Sequence, residues 1–100
     1  MSVPSITPAE VAAKIADGWT IVDVREDDEW AAGHVDGAVH IPLPELVERL
    51  AEIPDPAVCM CHVGGRSAMA TAYLTAQGRQ AVNLDGGIVD WVAAGLPTVR

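Results

Sequence analysis

The stretch from Pro54 to Ser67 constrains the fold most. Ala57-Val58-Cys59-Met60-Cys61 is an unbroken apolar run, led in by Pro54 and Pro56. It is short and does not alternate, which suits a strand buried on both faces. Gly64 and Gly65 make a tight loop. A helical pattern follows, in which Met69, Ala72, Tyr73 and Ala76 share one face and Gly78 is placed to end it. Cys61 is thereby set at a strand end, and Arg66-Ser67 at the opening of a helix.

That placement has chemical consequences. In an open parallel sheet, ligands bind at the carboxyl ends of the strands. Small loop residues let backbone N–H groups turn inward as an anion nest, and a helix N-terminus adds positive potential. A thiol held there is acidified, because the thiolate is the form such a site stabilises. The stretch Cys61-His62-Val63-Gly64-Gly65-Arg66-Ser67 thus reads as a cysteine nucleophile in an anion-binding cradle, closed by Arg66. Cys59 reads as a small core hydrophobe. Packing alone does not account for Cys61, because a core cysteine has no need of the Gly-Gly-Arg-Ser that follows.

One hundred residues make one domain with a single core, over 1–100. Phe is absent and aromatics are few, so that core is expected to be aliphatic. The formal net charge of -8 argues against nucleic acid or an anionic membrane surface as a partner. An anionic substrate must then be attracted locally, against the overall field. The opening MSVPSITPAE has neither a basic segment nor an apolar one, so no leader is expected. No apolar run approaches membrane-spanning length. Two cysteines are too few for a disulfide scaffold, which makes a reducing cytoplasm the expected setting.

Strand and helix signals alternate along the chain. Ser5-Ile6 suits a short strand. Thr7-Pro8-Ala9-Glu10 is a capping box, with proline at the first helical position, for a helix through Val11 and Ile15 to Gly18. Thr20 to Val24 is a second strand. Arg25 to Ala32 suits a short helix ended by Gly33. Ala38 to Ile41 is a third strand, closed by Pro42. Pro44 opens a helix in which Leu46, Val47, Leu50 and Ile53 share a face. After the cysteine strand and its helix, Gln80 to Leu84 is the last strand. Gly86-Gly87 turns the chain into a short helix marked by Ile88, Trp91 and Val92 and ended by Gly95. The alternation predicts a small α/β domain with a mainly parallel sheet. It leaves the strand order open.

At this point the chain resembles the rhodanese-like sulfurtransferases in their short single-domain form. Ile21 to Pro42, IVDVREDDEWAAGHVDGAVHIP, resembles the family's strand-helix-strand signature. CHVGGRS resembles its active-site loop, and Asn83 to Pro97, NLDGGIVDWVAAGLP, its closing Gly-Gly and Trp element. The resemblance implies a central parallel sheet with helices on both faces. It implies a persulfide on Cys61: the thiolate takes a sulfane sulfur from a donor such as thiosulfate and passes it to a thiol or cyanide acceptor, or to a protein. It implies no cofactor and no metal. Substrate contacts fall to His62, Val63, Gly64, Gly65, Arg66 and Ser67, with Arg66 offering its fork of donors to a sulfonate.

Two positions depart from the family's pattern. Its loop often carries a basic residue and then a hydroxyl after the cysteine, where this chain has His62 and Val63. Histidine is a weaker source of positive charge near neutral pH, and valine has no hydroxyl to donate. Both changes weaken the case for free thiosulfate and leave a second reading open, a binding or sulfur-relay module that works through a protein partner. Tyrosine phosphatases space their cysteine and arginine by five residues, whereas four separate Cys61 from Arg66. The shorter loop favours a held sulfur atom over a phosphoryl group.

The other polar and aromatic residues read as structural. Asp23 and Arg25 are expected to support the loop and the sheet end through hydrogen bonds, and His34 and His40 to bond structurally. Trp30 and Trp91 read as packing. Asp27, Asp28 and Glu29 read as a solvated first turn. Cys59 and His62 with Cys61 fall short of the four ligands of a closed zinc site.

Overall fold

The apolar run forms the central strand that its composition dictates. In the computed structural model, which describes residues 3–100, it becomes Ala57–Met60, buried at every position. In chain order the elements are β1 (Ser5–Ile6), α1 (Pro8–Ala16), β2 (Thr20–Asp23), α2 (Asp27–Ala32), β3 (Val39–His40), β4 (Ala57–Met60), α3 (Gly65–Ala76), β5 (Ala81–Leu84) and α4 (Gly87–Ala93). The sheet order is β1-β5-β4-β2-β3, and each of these neighbouring pairs is parallel. Met1 and Ser2 of the expected domain lie outside the described residues.

Strand alternation divides the core in two. Val22, Cys59 and Cys61 point to one side, where Ala70 and Leu74 of α3 cover them with Leu46 and Ile53. Ile21, Val58 and Met60 point to the other, where they meet Val11 of α1 and Ile88 and Trp91 of α4. Layers on both faces explain why β4 carries no polar residue. No helix among the described residues is long and apolar enough to cross a membrane.

Two expected helical faces come out differently. In α3 the buried residues are Ser67, Ala70, Thr71 and Leu74, while Met69 is 65% exposed. Alanines occur all round this helix, so apolar periodicity sets no phase. The small side chains of Ser67 and Ala70 suit close packing on the sheet, and Thr71 satisfies its hydroxyl on the Ser67 carbonyl at 2.8 Å. The segment after Pro44 is not one helix. It forms two 3-10 turns, Leu43–Glu45 and Leu50–Glu52, with Val47 exposed and Leu46 and Ile53 buried. This connection returns from the end of β3 to the start of β4, past β2. A 3-10 turn rises about 2.0 Å per residue against 1.5 Å for an α-helix, so it covers that path while still seating its two anchors.

The turn into α4 locks the loop after β4. The N–H of Ile88 donates to the Cys61 carbonyl at 2.9 Å, and that of Val89 to the His62 carbonyl at 3.2 Å. Gly87 allows this approach: its φ is +57°, and a Cβ there would press into the Cys61 carbonyl oxygen and lie 2.5 Å from that of His62. Gly87→Ala is expected to destabilise the fold by about 3 kcal/mol, combining left-handed strain with overpacking. Urea denaturation measures this, and an unchanged midpoint would contradict the account.

Candidate active site

Cys61 follows the last residue of β4, and α3 begins four residues later at Gly65. Its side chain is buried. Because α4 holds the carbonyls of Cys61 and His62, the loop peptides beyond them are free to turn their N–H groups toward sulfur. Gly64, in the left-handed region at φ +112°, donates its N–H to Cys61 Sγ at 3.1 Å. The N–H groups of Arg66 and Ser67, in the first turn of α3, add to what favours the thiolate.

The side chains behind the thiol form a short chain. Ser67 Oγ lies 3.3 Å from Cys61 Sγ and 2.6 Å from Asn83 Oδ1. Asn83 Nδ2 in turn donates to the Gly64 carbonyl at 3.2 Å. Asn83 therefore fixes both the serine and the loop backbone from β5. Burial pushes the Cys61 thiol up, but the Ser67 hydroxyl and the N–H groups of Ser67, Gly64 and Arg66 outweigh it and bring it below its ordinary value. Cys59 behaves oppositely: burial raises it to about 11, against a weaker lowering by the Thr71 hydroxyl. Both cysteines are free thiols.

Six sequence-predicted residues, His62 to Ser67, surround Cys61 as one loop, though not all in the same way. His62 and Val63 form its exposed rim, Val63 at 62%. The Arg66 guanidinium does not stand open. Its Nη1 donates to Glu29 Oε1 at 2.6 Å and its Nη2 to Glu29 Oε2 at 3.0 Å, a two-pronged pair. Glu29 is thus no solvated first-turn residue. The Arg66 hydrogen bonds hold its carboxyl at about 2, well below the usual range, despite partial burial. Sequence reasoning missed this partner because it lies in another element, 37 positions away. It missed Asn83 too, although one signal was present: a lone amide in the buried strand AVNL needs partners.

Asp23 and Arg25 take the supporting role expected of them. The buried Arg25 donates through Nη2 to Asp23 Oδ2 and to the Gly33 carbonyl, both at 2.8 Å. Trp30 is stacked between His34 and His40, at centroid distances of 3.7 and 4.7 Å. His34 Nδ1 lies 2.9 Å from the Trp30 carbonyl oxygen, and His40 Nε2 lies 2.8 Å from that of Arg25. His40, in β3, thus ties α2 to the sheet end, while His34 closes the C-terminal turn of α2.

The sequence of residues 7–94 matches the rhodanese-like domain family. The chain belongs to that family. A rhodanese-related protein from Thermoplasma volcanium superposes with a TM-score of 0.88 at 33% identity, over 96% of this chain and 97% of that one. Thiosulfate sulfurtransferase GlpE of Pseudomonas entomophila is 36% identical over 89 residues, 86% of this chain and 82% of its own length. An HTH-type transcriptional regulator of Mycobacterium tuberculosis is 37% identical over 98 residues, 93% of this chain. The chain spans 43% of that regulator's length. By family and by relatives of similar length, this rhodanese-like chain is a sulfurtransferase of the rhodanese type.

The thiol environment generates a test. Ser67→Ala removes the hydroxyl beside the sulfur, whose one hydrogen is shared between Cys61 Sγ and Asn83 Oδ1, and leaves the backbone donors in place. The alkylation midpoint of wild-type Cys61 is expected below the free-thiol value of about 8.5. In Ser67→Ala it should rise, by about one unit for each 1.4 kcal/mol of lost interaction. Iodoacetamide rates against pH measure both, and a wild-type midpoint at or above the free value would contradict the cradle.

Proposed function

We propose that Cys61 carries the transferred sulfur as a persulfide. The observation that carries this reading is the pair of groups set against one sulfur at a helix start, the Gly64 N–H at 3.1 Å and the Ser67 hydroxyl at 3.3 Å, with the first-turn N–H groups of Arg66 and Ser67 adding to the stabilisation of the thiolate. In the first half-reaction the Cys61 thiolate attacks the sulfane sulfur of thiosulfate or a persulfide. A new S–S bond forms on Cys61 as the donor's S–S bond breaks, and sulfite or a thiolate leaves with the electron pair. In the second, a thiol or cyanide attacks the outer sulfur and the Cys61 thiolate departs.

The nest that holds a thiolate also holds the terminal sulfur of a persulfide anion, since preorganised N–H groups stabilise negative charge without a metal. Gly64 and Ser67 form the buried base of the cradle, the exposed Gly65 opens α3 between them, and His62 and Val63 form the rim where donor and acceptor enter. Arg66 contributes its backbone N–H directly and its guanidinium through the pair with Glu29. We place the reaction in the reducing cytoplasm and take residues 1–100 as one domain. A sulfur-relay module serving a protein acceptor is the second reading, favoured by the exposed apolar Val63 beside the thiol.

Intact-mass analysis after exposure to thiosulfate or polysulfide tests the assignment. One added sulfur is expected on wild type and on Cys59→Ser, and none on Cys61→Ser. Sulfur retained by Cys61→Ser would overturn it. Cyanide turnover with thiosulfate and with an alkyl persulfide separates the two readings, because a relay module loads sulfur yet turns over either small donor poorly.

A further inference from the structure

The Arg66–Glu29 pair bears on which donors the cradle accepts. Both Nη groups of Arg66 are engaged by one carboxylate. A sulfonate seeking that fork must displace an intramolecular partner matched to it in geometry. Protonation does not vacate the fork near neutral pH, since Glu29 stays ionised far below it. Arg25, also at this end of the sheet, is committed to Asp23 and the Gly33 carbonyl. Asp27 and Asp28 join Glu29 in the first turn of α2 and add negative charge.

A cleft of about 430 Å³ opens between α2 and α4, lined by Glu29, His62 and the Asp23-paired Arg25, with Ala32, Ile88, Val89 and Val92 forming apolar walls. Its size falls within the range of small-molecule sites. Its surface suits a hydrocarbon body better than a doubly charged oxyanion.

We propose that Glu29 sets the donor specificity of this site, turning it from oxyanionic donors toward alkyl persulfides whose carbon body lies in the α2–α4 cleft. This rests on Cys61 being the sulfur carrier. With such a donor, the Cys61 thiolate attacks the outer sulfur of R–S–S–H. The Cys61 S–S bond forms, the donor's S–S bond breaks, and R–S⁻ leaves with the electron pair. The proton stays on the transferred sulfur, and no external oxidant or reductant is needed. With thiosulfate the leaving group is the sulfite dianion, and its charge would develop against the Glu29 carboxylate.

The test compares thiosulfate with propyl persulfide released in situ, using cyanide as acceptor for wild type, Glu29→Gln and Glu29→Asp. Sulfate serves as an unreactive oxyanion competitor. Wild type should prefer the alkyl persulfide in kcat/KM and resist sulfate. In Glu29→Gln the preference should fall at least about tenfold, a change of roughly one decade in relative transition-state binding. A lower KM for thiosulfate should account for most of it, and sulfate should become a competitive inhibitor. Glu29→Asp keeps the charge and should retain most of the preference.

An unchanged donor ratio in folded Glu29→Gln overturns the proposal. If that variant does not fold, wild type decides alone: equal use of both donors, or competitive inhibition by sulfate, overturns it. Failure of the underlying reading looks different, because sulfur would then load onto Cys61→Ser from either donor. Loading that requires Cys61 but ignores Glu29 leaves the sulfur carrier in place and removes only the specificity role.

Discussion

The site depends on two backbone hydrogen bonds, from Ile88 and Val89 to the carbonyls of Cys61 and His62. A loop between a buried strand and a helix has as many carbonyls as amides, and an anion cradle exists only if the carbonyls are held elsewhere. The start of α4 holds two of them. It can come close enough because Gly87 has no side chain where one would strike those oxygens. The Gly-Gly turn near the C-terminus is thus part of the site, although neither glycine touches the thiol.

Given that arrangement, the behaviour of the two cysteines follows from position along one strand. Cys59 and Cys61 point to the same side of the sheet and both are buried. Cys59 sits within β4, where burial dominates and keeps it a neutral thiol. Cys61 lies one residue beyond β4, where α3 begins to present donors. Burial opposes ionisation there as well, but the converging N–H groups and the Ser67 hydroxyl win. Asn83 binds both Ser67 and the Gly64 carbonyl, so β5 helps to hold the donors in place.

The rim of the cradle shows a different balance. Permanent positive charge is present at Arg66 but is matched by Glu29, and the positions next to Cys61 hold His62 and Val63. The site therefore stabilises a sulfur anion chiefly through oriented dipoles rather than through net charge. Such stabilisation is short-ranged and favours a single atom seated in the nest over a large oxyanion at its mouth. A protein of formal charge -8 draws little help from its overall field in attracting anions.

Local chemistry in the sequence determined the succession of elements, the strand end at Cys61, a helix opening beside Arg66 and the glycines that turn the chain. Each follows from a few neighbouring residues: an apolar run, a capping box, a Gly-Gly pair. The parallel sheet was legible too, because a strand with no polar face needs cover on both sides. Tertiary structure decided which face of α3 is buried, since a helix with alanine all round carries no phase of its own. It also broke the segment after Pro44 into two 3-10 turns, because the path back to β4 outweighed the helical period. It placed Glu29 in the fork of Arg66 and Asn83 behind Ser67. Those partners come from separate elements, and only the packing of α2, α3 and β5 around the sheet end brings them within bonding distance.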